Sequence, residues 1–134
     1  MAEGGASTMD QLQQVLEDLR ALSGELVSAA VLSEDGKLRA STLAPGVDQE
    51  RYGAMVAALA GIARRVAREN GGTGFAQVRI REEGGSVLLV GLERGGTLAA
   101  TTGPDARVGL VLYDMRNAGK ELERMLGSEE GGQR

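Results

Sequence analysis

Asp48–Asn70 reads DQERYGAMVAALAGIARRVAREN and decides the fold. Tyr52, Met55, Val56, Leu59, Ile62, Ala63 and Val66 recur at helical spacing, so the stretch predicts one long helix with an apolar stripe. Gly53, Ala57 and Gly61 recur every fourth residue on another side, flanked by Ala54 and Ala58. Glycine inside a helix costs about 1 kcal/mol relative to alanine. Two such glycines in register point to close approach of another backbone, which small side chains permit. The expectation is that the large-residue face sits on the chain's own sheet and the small-residue face meets a second molecule. The alternative is that both faces lie against the chain's own core.

Working outward, Asp48 is a good N-cap, Glu50 adds negative charge to the first turn, and Asn70-Gly71-Gly72 stops the helix. Upstream, Leu26–Ser33 and Leu38–Leu43 are two apolar runs of strand length. Between them Asp35-Gly36 is a strong hairpin signal. Before these, Leu12, Val15, Leu16, Leu19 and Leu22 form a helical stripe, with Ser7 as its N-cap, Asp10 in a capping-box-like position and Ser23-Gly24 as its stop. Downstream, Phe75–Arg81, Ser86–Leu92 and Thr97–Thr102 follow with turns too short for anything but antiparallel pairing. The first of these alternates Ala76, Val78 and Ile80 with Gln77, Arg79 and Arg81, as at a sheet edge or a half-wet face. The second is apolar on both faces and is expected to be interior. Gly103-Pro104-Asp105 is expected to start the last helix, with proline in or just before its first turn. Its stripe is Val108, Val111, Leu112, Met115, Leu122 and Met125. The order is α-β-β-α-β-β-β-α. Inner strands that are apolar on both sides demand helices on both faces, so the fold class is α/β: a three-layer α/β/α sandwich around a five-stranded, mostly antiparallel sheet. The domain is expected over residues 9–126, between disordered tails at 1–8 and 127–134.

Composition narrows function by exclusion. The chain has 134 residues, which suits one domain. It has no cysteine and no histidine. That removes disulfides, thiolate sites, the commonest metal ligand and His-dependent nucleophilic catalysis. A net charge of −4 leaves no electrostatic footprint for nucleic acid. The aromatic residues are only Tyr52, Phe75 and Tyr113, so bases would have almost no stacking platform. No apolar run approaches membrane-spanning length, and the N-terminus lacks a signal-peptide order. The expected location is cytoplasmic, with no membrane and no cofactor. Arginine exceeds lysine and alanine and glycine abound, a composition associated with GC-rich bacterial genomes.

The glycine-rich stretches do not make a phosphate loop. Gly36-Lys37 and Gly119-Lys120 lack the upstream Walker spacing, and Gly71-Gly72-Thr73-Gly74 precedes a strand rather than a helix. Glu82-Glu83 sit in a turn, where solvation argues against a general acid–base pair. Thr101-Thr102 ends a strand with no base nearby. The chain is therefore expected not to be an enzyme. Arg64, Arg65 and Arg68 cluster near the end of the long helix. They either complement its negative terminus or meet an acidic partner surface.

The chain resembles the Roadblock domain family, named from the dynein light-chain roadblock, with bacterial relatives of the MglB type. Three stretches carry the resemblance: the opening helix running through Ser23-Gly24 into LVSAAVLSEDGKLRAS, the long alanine-rich helix, and LAATTGPDARVGLVLYDMRNAGKELERML. It covers about Asp10 to Leu126. Gly24-Glu25 departs from the glycine and β-branched residue common in the family. The resemblance implies a sheet order of 2-1-5-4-3, with the long helix on one face and the terminal helices on the other. It also implies homodimers or heterodimers that pair an edge strand and the long helices, and binding to Ras-like small GTPases. On this basis the dimer contact is expected at Gly53, Ala57 and Gly61 and along the edge residues Phe75, Gln77, Arg79 and Arg81. The GTPase would dock on Arg51, Arg64, Arg65 and Arg68. The implied function is a dimeric, non-enzymatic regulator of a bacterial Ras-like GTPase. The alternative is a scaffold or adaptor subunit, including a heterodimer with another Roadblock protein, without effect on hydrolysis.

Overall fold

Ser7 opens the first helix: its Oγ accepts from the Asp10 backbone N–H at 3.1 Å, satisfying one of the donors a helix start leaves free. The structure, a computed structural model, describes residues 7–131. Helix α1 spans Thr8–Leu22, so it begins inside the stretch 1–8 expected as a tail; positions 1–6 lie outside the described residues. Ser23 closes α1 by donating to the Leu19 carbonyl at 2.8 Å. Strands β1 (Leu26–Leu32) and β2 (Leu38–Ser41) form the expected hairpin, turned at Gly36 with φ of 84°, a conformation glycine adopts freely. The Asp35 carboxylate in that turn lies below its ordinary pKa, chiefly through the hydrogen bond from Ser33 and then the one from the Lys37 backbone.

Helix α2 spans Gln49–Glu69, with Asp48 accepting from Arg51 N–H at 3.1 Å and Asn70 as C-cap. Strands β3 (Gln77–Glu82), β4 (Gly85–Gly91) and β5 (Thr97–Thr102) follow, each within two residues of its expected bounds. Helix α3 spans Val108–Gly131. Pro104 lies in the turn before it, not in its first turn. The Arg107 carbonyl accepts the first helical bond from Val111 N–H at 3.1 Å. Glu25 supplies the negative charge at this helix start: it accepts from the Arg107 backbone N–H at 3.0 Å, and its carboxylate pairs with the Arg107 guanidinium at 3.3 Å. The residue that departs from the family pattern thus caps a helix 82 positions away. Helix α3 runs five residues past the end expected at Leu126, and positions 132–134 of the expected tail lie outside the described residues.

The sheet order is β2-β1-β5-β4-β3, and every neighbouring pair is antiparallel. β5 is the middle strand and β4 is interior, as its apolar faces require. Gly85 and Gly91 let backbones meet: a Cβ on Gly85 would strike the Thr102 carbonyl, and one on Gly91 the Phe75 carbonyl. Helices α1 and α3 cover one face. There Leu12, Leu16, Val111, Met115 and Leu122 pack on Val31, Leu88, Leu98 and Ala100. On the other face Val56 and Ala60 of α2 pack on Ala30, Leu32, Leu89 and Ala99. This is the three-layer sandwich.

Helix α2 turns a mixed face toward the sheet. Its buried positions are Gly53, Val56 and Ala60. A Cβ on Gly53 would lie 3.6 Å from that of Leu38, and one on Gly36 would lie 3.1 Å from that of Ala57. Gly53 and Ala57 therefore lie on the chain's own hairpin, whereas a Cβ on Gly61 would meet nothing within 4 Å. Much of the large-residue stripe points outward: Met55, Ile62 and Val66 are each more than half exposed. The physical reason is proximity. Val56 and Ala60 settle on Ala30 and Ala99 at the centre of the strands, and Gly53 and Ala57 let the helix approach the β1–β2 hairpin.

Candidate protein-interaction surface

A helix about 10 Å across cannot cover five strands spaced about 4.8 Å apart. Two helices share one face of the sheet. On the other, α2 stands alone and packs over β2 and β5. The β3 side of that face is left open. Val78 is half-buried, and Ile80 is 42 % exposed. Both point to the α2 side because they pair with Leu89 and Val87, which belong to the α2 core.

The outward stripe of α2 borders this bare sheet. Tyr52, Met55, Leu59, Ile62 and Val66 follow one another at intervals of three, four, three and four residues. That spacing lines one side of the helix in a seam. Tyr52 and Leu59 are partly buried on the chain's own core, while Met55, Ile62 and Val66 are 55–57 % exposed. Seam and bare sheet together make one apolar surface rather than scattered exposed residues. The Tyr52 hydroxyl is buried with no hydrogen-bond partner among the described residues, and that burial raises its pKa.

The two sheet edges differ. At the β2 edge, the Gln13 side chain of α1 acts as a short strand. Its Nε2 donates to the Ser41 carbonyl at 2.7 Å, and its Oε1 accepts from the Ser41 N–H at 3.2 Å. Gln13 thus occupies backbone groups that another strand would need. β3 pairs with β4 alone, so its outer edge is open. Gln77, Arg79 and Arg81 all lie exposed on this edge strand, on the face opposite Val78 and Ile80. Gln77 accepts from Arg116 of α3 at 3.2 Å. Phe75 is not at the edge; it precedes β3 and packs half-buried on the α2 core.

The four arginines expected to dock a partner are not one patch. Arg51 is at the start of α2, about 20 Å from Arg64 at the helical rise per residue. Arg65 is exposed. Arg64 donates to the Gly95 carbonyl at 3.1 Å, and with Arg68 it lines a cleft of about 550 Å³ also bordered by Thr73 and Phe75. Among the described residues no group of acidic side chains is placed to hold a metal. Of the stripe expected on the chain's own sheet, Tyr52, Val56 and Leu59 pack there, while Met55, Ile62 and Val66 are more than half exposed. The three-four spacing was the available signal. Gln13 carried no local signal, because its partner is 28 residues away.

Comparison with known proteins agrees with this architecture. The curated relatives include the uncharacterized protein MJ0714 of Methanocaldococcus jannaschii, 32 % identical over 114 residues, covering 85 % of this chain and 95 % of that one. Among solved structures, Myxococcus xanthus MglB superposes with a TM-score of 0.82 at 15 % identity, covering 94 % of this chain and 95 % of that one. The gliding protein MglB of Thermus thermophilus gives 0.80 at 17 % identity, covering 93 % and 95 %. At such identities these structures share the fold. The family model for the Roadblock/LC7 domain matches residues 12–102, from the first helix through the last strand, and the chain belongs to the Roadblock/LC7 domain family.

Proposed function

We propose that this chain is a symmetric dimer that regulates a Ras-like small GTPase by binding it, not by supplying a reacting group. The observation that carries the dimer is the outward seam Met55, Ile62 and Val66 beside the open β3 edge. Two copies related by a two-fold axis would lay seam against seam and β3 against β3. The half-bare face of each sheet would then be covered by the other copy. Gly53 and Ala57 drop out of the expected contact because they lie on the chain's own hairpin. Gln77, Arg79 and Arg81 remain in it as edge residues.

The GTPase reading rests on the family resemblance, and the MglB-like fold supports it. A dimer of this kind acts by holding the switch segments of the GTPase in one arrangement, which is positioning rather than chemistry. Arg64, Arg65 and Arg68 at the end of α2 are the docking cations, with Arg51 as a separate contact at its other end.

The test is binding to Ras-like GTPases loaded with GDP or a non-hydrolysable GTP analogue, with masses from light scattering. Preference for the GTP form at two chains per GTPase, weakened by the Arg64→Ala, Arg65→Ala pair, supports the reading. Binding without any change in GTP turnover favours the scaffold or adaptor role. No binding in either state ends the regulator reading.

A further inference from the structure

The other helical layer carries a second unfilled groove. Helices α1 and α3 run antiparallel, since Glu25 just after α1 binds Arg107 just before α3. A groove of about 180 Å³ runs between them, with Val15, Leu19 and Ala118 in its floor. Its rim is acidic on both sides: Asp18 from α1, and Asp114 and Glu121 from α3. Asp18 accepts from its neighbour Gln14 at 2.9 Å. Asp114 and Glu121 meet no cation among the described residues.

Arg20 of α1, Arg116 of α3 and Arg107 before α3 are turned elsewhere, while Lys120 and Arg124 of α3 are exposed. Arg20 lies beside Ser41 and Thr42, Arg116 reaches Gln77, and Arg107 pairs with Glu25. No lysine or arginine lines the groove. At one end Leu22 is 73 % exposed. Leu110 is 52 % exposed and one helical turn from Asp114 on the same stripe.

We propose that this groove docks a basic amphipathic helix of a partner protein. The charge complementarity sets the partner's chemistry: aliphatic side chains for the floor and for Leu22, and lysine or arginine flanks for the three carboxylates. A helix suits the shape, because the valley between two antiparallel helices accepts a third by ridges-into-grooves packing. The site is on the opposite side of the sheet from α2, so it is independent of the proposed dimer and of the GTPase reading.

The test uses a synthetic 14-residue helical peptide with leucines along one face and lysines on both flanks. It is titrated into the isotopically labelled full chain and followed by amide chemical shifts and by anisotropy. Saturable shifts at Val15, Leu19 and Ala118 are expected. Asp114→Lys with Glu121→Lys should weaken the peptide about tenfold, because the rim charges act together at an apolar contact. Leu22→Ser should weaken it several-fold. Glu69→Lys with Glu83→Lys makes the same change in net charge at distant exposed sites and should leave affinity unchanged. Shifts mapping to α2 or β3, equal weakening by the two charge-reversed pairs, or no saturation would each overturn the proposal. All of these substitutions are at surface positions, and a retained melting transition verifies the fold.

Discussion

Ile62→Ser separates the two readings of α2. Ile62 is 57 % exposed in the single chain. Fully burying an isoleucine side chain contributes roughly 2–3 kcal/mol, so covering its free half contributes about 1–1.5 kcal/mol. A two-fold contact counts each residue twice, which brings the loss on substitution to roughly 2–3 kcal/mol. At about 1.4 kcal/mol per tenfold, the dimer dissociation constant should rise about 30- to 150-fold. The fold itself should hold, because serine and isoleucine have similar helix propensities and the side chain touches little of its own core. Sedimentation equilibrium over a dilution series gives the constant, and circular dichroism at the lowest concentration gives the stability of the single chain. Gly61→Leu is the control: a Cβ there meets nothing within 4 Å, and the position lies off the seam. Its dissociation constant should stay within about threefold of the parent. A dimer that survives Ile62→Ser unchanged and falls apart in Gly61→Leu would refute the seam and restore the small-residue face as the contact.

Gln13→Leu should free the β2 edge and remove both bonds to Ser41. It should cost about 1–3 kcal/mol of stability and produce concentration-dependent species larger than the parent by light scattering. Gly85→Ala should be among the most destabilising single changes, about 3 kcal/mol or more by denaturant unfolding, because Gly85 has φ of 148° and its added methyl meets the Thr102 carbonyl. Tyr52→Phe should hold neutral-pH stability within about 1 kcal/mol of the parent, since the lost hydroxyl has no partner among the described residues. Burial raises the Tyr52 pKa in the folded state, so its neutral form stabilises the fold fully below the unfolded value of about 10 and loses that contribution as pH rises through the folded value. The parent should therefore lose stability relative to Tyr52→Phe above about pH 10, and a constant difference from pH 8 to 11 would contradict that burial.

Local chemistry was readable wherever the partner of a residue was close in sequence. Ser7, Asp48 and Asp35-Gly36 announced two helix starts and one hairpin because caps and turns are closed within a few residues. The alternation in Gln77–Arg81 announced a strand with one half-wet face. The C-terminal extent of α3 was missed because Gly127 reads as a stop, yet the helix continues through it. The role of Glu25 was hidden for a different reason: it caps a helix whose start is 82 residues downstream.

The candidate surface divides along the same line. The sequence by itself determined the order of elements, the antiparallel meander and the fact that α2 has two unlike faces, because periodicity and turn length act within a single element. Only the tertiary structure decided which face of α2 goes inward, because that depends on the fit of Gly53 and Ala57 against Leu38 and Gly36 and of Val56 and Ala60 on Ala30 and Ala99. It also decided which sheet edge is open. Gln13 closes β2 through a contact spanning 28 residues, and no local pattern encodes where a distant side chain will be when the layers come together.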